Sequence, residues 1–320
     1  MKALIVILLA TCCGCRGAFA ADESAVSVLT PSSSDKATVE QHRDINGSYH
    51  IVIGGDRYDG RRLIKALVAQ LGALDGGGWA RDADFAIDIA TFSGFGDEQF
   101  RGLSLRLATS AGRIRQFAAT AAADGGHVAG ELSETPDGQQ KITLEADNAG
   151  SFLRAIGLYR RMSGGHLSLT LNLPSDAARP PAGHVTLRDF TVAGEPLFAD
   201  MSRTSGIGKT DFSQMQLSFR WLPGRLAIDS GFACGVSQAT EIRGIVDLSR
   251  SEIDIDGRLL LNYGNKLSSE LPKEDSADMP IFMNYRSRGA IDAPQVQINH
   301  SVPVVLARSL LRSCFPAQPR

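Results

Sequence analysis

From residue 48 onward, apolar and polar residues alternate in short runs, one run after another. In Asp84–Thr91, Phe85, Ile87 and Ile89 alternate with Ala86, Asp88 and Ala90. In Gly102–Ala108, Leu103, Leu105 and Leu107 alternate with Ser104 and Arg106. His166–Leu173 is the cleanest run, with Leu167, Leu169, Leu171 and Leu173 against His166, Ser168, Thr170 and Asn172. Met215, Leu217, Phe219 and Trp221 repeat the pattern against Gln214, Gln216, Ser218 and Arg220. Side chains along a strand point alternately to opposite faces, so each run predicts a strand with one apolar and one polar side. Gly, Asp, Asn or Pro bounds each run, which supplies turns. Further strands are expected at Tyr49–Ile53, Gly112–Ala121, His127–Ser133, Lys141–Ala146, Val185–Val192, Arg225–Ile228, Glu241–Leu248, Glu252–Leu261, Pro280–Ala290 and Gln295–Asn299.

Helical spacing is rarer. Asp59 is placed to cap a helix whose Leu63, Leu67 and Leu71 share one side, stopped by Gly72. Asn148 caps a second, with Phe152, Ile156 and Tyr159 on its apolar side. Glu195–Met201 reads as a short helix, and Ser301 caps a last one over Val304–Cys314. The expected fold is mainly β. It is an antiparallel meander forming a curved, elongated groove or a sandwich, with about three short helices. One-sided strands need apolar cover, which a second sheet, the sheet's own curvature or a bound apolar molecule can provide.

The N-terminus has a different texture. Lys2, an apolar run from Ala3 to Cys15 and Ala18-Phe19-Ala20 form a secretory signal over residues 1–20, cut before Ala21. An uncleaved anchor, or lipidation at Cys12 or Cys15, is the alternative. Residues 21–47 are polar and read as a flexible leader. Residues 48–192 form a first β segment with two helices, and 193–320 a second with the terminal helix. The expected location is the periplasm, in contact with membrane or not.

The formal charge of −2 gives no reason to expect nucleic acid, whose phosphates demand a basic face. Of the 5 cysteines only Cys234 and Cys314 lie beyond the signal. Two buried thiols are the favoured reading, and a bond between them the alternative that an oxidising compartment permits. Gly206-Ile207-Gly208-Lys209-Thr210 lacks the first glycine of a phosphate-binding loop, because Arg203 stands there. Asp254-Ile255-Asp256-Gly257 lacks the third acidic ligand of a calcium loop. The charged stretch Gly54–Arg62 reads as a turn with helix capping rather than an anion site. No framed nucleophile or zinc spacing appears, so no enzyme, catalytic residue, metal or cofactor is expected.

Several segments fall in a recognisable order: Asp59-Gly60-Arg61-Arg62-Leu63, then Leu144–Tyr159, then Arg188-Asp189-Phe190-Thr191-Val192. Gly244-Ile245-Val246-Asp247-Leu248, Gly257–Gly264, Tyr285-Arg286 through Gly289, and Pro294-Gln295-Val296 with Ile298-Asn299 follow. Over residues 56 to 315 this order resembles the C-terminal region of the AsmA-like, YhdP-related envelope proteins. The resemblance implies an apolar β-groove that carries phospholipid between the inner and outer membranes. Phospholipid or another acyl lipid would then be the partner, with a membrane surface or envelope proteins beside it. Phe85, Ile87, Ile89, Leu103, Leu105, Leu107, Leu167, Leu169, Leu171, Leu217 and Phe219 are the candidate lining residues, and plain sheet core is the competing reading for each. A non-enzymatic assembly or scaffold factor for envelope proteins is the alternative function.

Overall fold

A computed structural model describes residues 34–45, 47–65, 82–110, 113–136, 138–176, 179–194, 209–222, 224–236, 238–247, 250, 252–261, 281–291 and 294–299, with Pro31 and Cys314. The expected signal, the helix at Glu195–Met201 and nearly all of the terminal helix lie outside these residues.

Among the described residues, fifteen strands form one sheet in which spatial order equals sequence order. They are β1 (Lys36–Arg43), β2 (Tyr49–Asp59), β3 (Ala83–Ser93), β4 (Gln99–Ser110), β5 (Arg113–Ala123), β6 (Gly126–Glu134), β7 (Gln140–Ala146), β8 (Met162–Leu173), β9 (Ala182–Ala193), β10 (Lys209–Leu222), β11 (Arg225–Gly235), β12 (Gln238–Asp247), β13 (Glu252–Leu261), β14 (Ile281–Ala290) and β15 (Gln295–Asn299). The mainly β, meandering architecture read from the alternation is the one observed. There is one sheet, so the sandwich alternative does not apply to the described residues. β9 pairs directly with β10, and the sheet crosses the expected segment boundary at 192/193 without a break.

Three local expectations change. The polar leader contains β1, an edge strand paired with β2 and otherwise mostly exposed. β2 does not stop at Ile53 but runs through Gly54-Gly55 to Asp59. β2 and β3 pair in parallel, whereas every other neighbouring pair is antiparallel, as a meander requires. A parallel pair needs a crossover rather than a hairpin. The chain between β2 and β3 begins that crossover with helical residues 61–65. Asp59 holds its start: its carboxylate accepts the Arg61 backbone N–H at 3.1 Å and pairs with the Arg61 guanidinium at 2.6 Å. The Arg61 hydrogen bond holds the Asp59 carboxyl below its ordinary range.

The helix expected after Asn148 is short, α1 (Ala149–Ala155). Asn148 caps it by accepting the Ser151 N–H at 3.0 Å. It ends at Ile156, because Gly157 takes a φ of 75° that a helix cannot continue.

The sheet curls. Gln140 on β7 donates to the Ile114 carbonyl on β5 at 3.1 Å, and Arg113 at the start of β5 donates to the Ser175 carbonyl after β8 at 2.9 Å. In a flat sheet β5 and β8 would be about 14 Å apart, beyond an arginine's reach once side-chain direction is allowed for. Register shifts in β4–β5, β10–β11 and β11–β12 add the local twist and bend that bulges impose. α1 sits inside the curl at one rim. Phe152 packs edge-on against Phe100 of β4, and Arg154 pairs with Glu98 of the β3–β4 turn at 2.6 Å. Glu98 also accepts the Ser151 hydroxyl, and Arg154 donates to the Met162 carbonyl on β8 at 2.6 Å. The helix therefore ties the β3–β4 turn to β8 across the strands between them.

Candidate functional site

Residues that face each other across a sheet share one face, so the printed registers can be followed from edge to edge. One such row runs Val39, Ile53, Ile87, Leu105, Ala119, Gly130, Leu144, Leu169, Val185, Leu217, Gly231, Ile242, Gly257, Tyr285, Ile298. It takes one residue from every strand, and each is apolar, aromatic or glycine. With strands about 4.8 Å apart, fourteen steps make about 67 Å measured along the sheet.

The adjacent row on the opposite face runs Thr38, Gly54, Asp88, Ser104, Thr120, Ala129, Glu145, Ser168, Thr186, Gln216, Phe232, Glu241, Arg258, Asn284, Asn299. This row is polar except for two small residues and Phe232. The period of two therefore holds in phase over all fifteen strands. A single-residue slip anywhere would have turned the downstream strands inside out.

All the lining candidates lie on the inner face and belong to one continuous apolar cluster. Ile87, Ile89, Leu107, Leu167, Leu169, Leu171, Leu217 and Phe219 are buried, and Phe85, Leu103 and Leu105 are half-buried against them. Burial varies along the row. In the middle, Leu144, Leu169, Val185 and Leu217 are 0–4% exposed. On β4, β5, β12 and β15, Leu105, Ala119, Ile242 and Ile298 are only half-buried, whereas Ile53 and Ile87 on β2 and β3 and Tyr285 on β14 are buried. The centre is thus sealed by its own side chains, as is the row at β2 and β3, and it is looser at β4–β5, β12 and β15.

Glycines in the rows make room for rings. A Cβ on Gly183 would overlap the ring of Phe219, its cross-strand neighbour. A Cβ on Gly257 would overlap the Tyr285 ring in the same way. The Tyr285 hydroxyl pairs with Thr240 at 3.0 Å, the polar contact that accompanies this ring. Sequence alternation does not identify these glycines as parts of the lining. Their signal was Gly recurring at apolar positions of otherwise regular strands, opposite an aromatic residue.

Near β11 the outer face is apolar for a short stretch. Cys234, Ala239 and Leu260 form a separate buried cluster there with Cys314, and Phe232 packs against it. Cys234 and Cys314 are disulfide-bonded, with Cα atoms 5.6 Å apart. The Cys314 carbonyl also accepts from Gln214 at 3.3 Å. Cys314 is therefore fastened to the outside of the sheet, opposite the lining.

The other motifs resolve into ordinary contacts. Asp254 and Asp256 lie on the outer face, where Asp254 pairs with Arg286 and Arg288 at 3.0 Å and Asp256 with Arg286 at 3.5 Å. Hydrogen bonds from Arg286 and then Arg288 lower the Asp254 pKa to about 2. Gly206, Ile207 and Gly208 lie outside the described residues, and Lys209-Thr210 simply begins β10. Among the described residues no group of three or more His, Cys, Asp or Glu is placed to hold a metal ion, and no helix is long and apolar enough to cross a membrane.

No protein-family model, curated protein or solved structure matches this chain.

Proposed function

We propose that this chain is a non-enzymatic protein of the periplasm that holds phospholipid acyl chains against the inner face of its curled sheet, as the AsmA-like proteins it resembles are thought to do. One observation carries the reading: the apolar row that crosses all fifteen strands, with a polar row behind it. A core needs a compact cluster, not a strip about 67 Å long that reaches both edges of an open sheet. Acyl chains laid on such a strip leave water at about 25 cal/mol per Å² of apolar area covered. No reacting group is required. The half-buried stretches, at Leu105 and Ala119 and at Ile242 and Ile298, are where a tail would first lie. Passing the sealed centre would require Leu144, Leu169, Val185 and Leu217 to separate.

That sealed centre favours a second reading, a dry-cored scaffold for envelope proteins. Native mass spectrometry with lipid extraction on the chain purified from periplasm separates the two. Photo-crosslinkers at Leu105 and at Ile298, with one at His184 on the outer face as control, locate any lipid. Co-purifying phospholipid that crosslinks at the two inner positions and not at His184 is the expected result. A lipid-free mass with no crosslinks from purified, folded protein would reject lipid binding and favour the scaffold.

A further inference from the structure

We infer that β1 is a dimerisation edge, and that its partner is β1 of a second copy of this chain. The inference does not depend on what the inner face carries. β1 ends the sheet and pairs, among the described residues, with β2 alone. Its Lys36, Thr38 and Glu40 are exposed on the outer face, and Ala37 and Val39 are half-buried on the inner. An edge with alternating faces offers a row of backbone donors and acceptors to another strand, and charges normally discourage the pairing. Here the charges are self-complementary.

Two copies of β1 related by a two-fold axis must run antiparallel. To keep both apolar faces on the same side, the axis must pass beside a residue, so that inner positions face inner positions. With the axis at Thr38, Lys36 of each copy faces Glu40 of the other, and Ala37 faces Val39. Moving the axis to Glu40 sets two carboxylates against each other. Moving it to Val39 sets Ala37 against Gln41 and Lys36 against His42. The Thr38 register alone pairs opposite charges on the outer face and apolar residues on the inner face. The other edge, β15, has five residues and no charged residue to fix a register.

The consequence is one sheet of twice the strand number. Ala37 and Val39 would join the inner rows of the two copies, because Val39 is the terminal member of the fifteen-strand row. The dimer is closed by symmetry and does not propagate through β1.

The experiment uses the full chain and reads mass by light scattering and native mass spectrometry. The expected result is a dimer. Lys36→Glu weakens it about tenfold, and Lys36→Glu combined with Glu40→Lys restores it. Directly opposed residues lie about 4.5–5.5 Å apart between Cα atoms, within disulfide reach. Thr38→Cys therefore gives a covalent dimer on a non-reducing gel, against the unchanged protein as control. A monomer at every concentration, or a dimer that Lys36→Glu leaves intact and in which Thr38→Cys stays uncrosslinked, overturns the inference. These substitutions are on an exposed edge, and circular dichroism confirms that each variant folds.

Discussion

Removing the Cys234–Cys314 bond should cost this protein several kcal/mol, and the cost should fall on one end of the sheet. The bond joins positions 80 residues apart. Closing a loop of that length removes roughly 15 cal/mol/K from the unfolded chain, about 4.5 kcal/mol at 25 °C in the chain-entropy account. Measured values run about 2–4 kcal/mol, so a loss in that range is expected for the reduced protein and for Cys234→Ala/Cys314→Ala. The closed loop contains all of β12 to β15. It also holds Cys314 over Cys234, Ala239 and Leu260, which are 0–1% exposed under that cover. Urea unfolding with and without reductant gives the overall change. Hydrogen exchange gives its location: protection should fall in β12–β15 well before β3–β8. Equal unfolding midpoints in the two redox states, to within about 0.5 kcal/mol, would refute the reasoning. Uniform loss of protection along the sheet would refute the localisation.

Two further outcomes follow from particular contacts. Phe219→Ala should cost about 3–5 kcal/mol, and Gly183→Val should also destabilise, because its side chain meets the Phe219 ring; the double variant should lose less than the sum of the two, measured by a urea double-mutant cycle, and simple additivity would show that the pair is not coupled. Asp254 titrates at about 2 because Arg286 and Arg288 hydrogen-bond its carboxylate, so its folded pKa lies below its unfolded value of 3.8. Its contribution is full above about pH 4 and is lost as pH falls toward 2, with an amount held below about 1 kcal/mol by solvent exposure. Arg286→Gln/Arg288→Gln should flatten that part of the acid-unfolding curve, and an unchanged curve would assign the acid sensitivity to other groups.

The strands were legible where packing imposes a strict period. Leu167–Leu173 alternates without exception because β8 lies mid-sheet with one face buried and the other wet. β1 was not legible, since Lys36–Arg43 is an edge whose only clear apolar signal is Ala37 and Val39. Alternation is blind to strand direction, so the parallel β2–β3 pair was hidden. The helix expected at Asp59 was nevertheless the clue, because strand, helix and strand in succession make a crossover. The lining leucines could be named from parity alone, but the glycines among them could not. Gly183 matters through a ring that another strand places over it. The pairing of Cys234 with Cys314 depends on Cys314 lying over the outer face at β11, and no local pattern carries that.

The agreement between chain order and spatial order has a consequence for how the molecule is assembled. Each strand after β3 finds its partner in the strand made just before it, so the sheet can grow in step with the chain and needs few long-range searches. The slow closure is the crossover that sets β3 beside β2, near the start. The last is Cys314, whose partner on β11 has waited through four later strands. A chain truncated within β14 or β15 therefore carries a sheet but leaves Cys234 as a free thiol, a state that a thiol-reactive label distinguishes from the disulfide-bonded molecule.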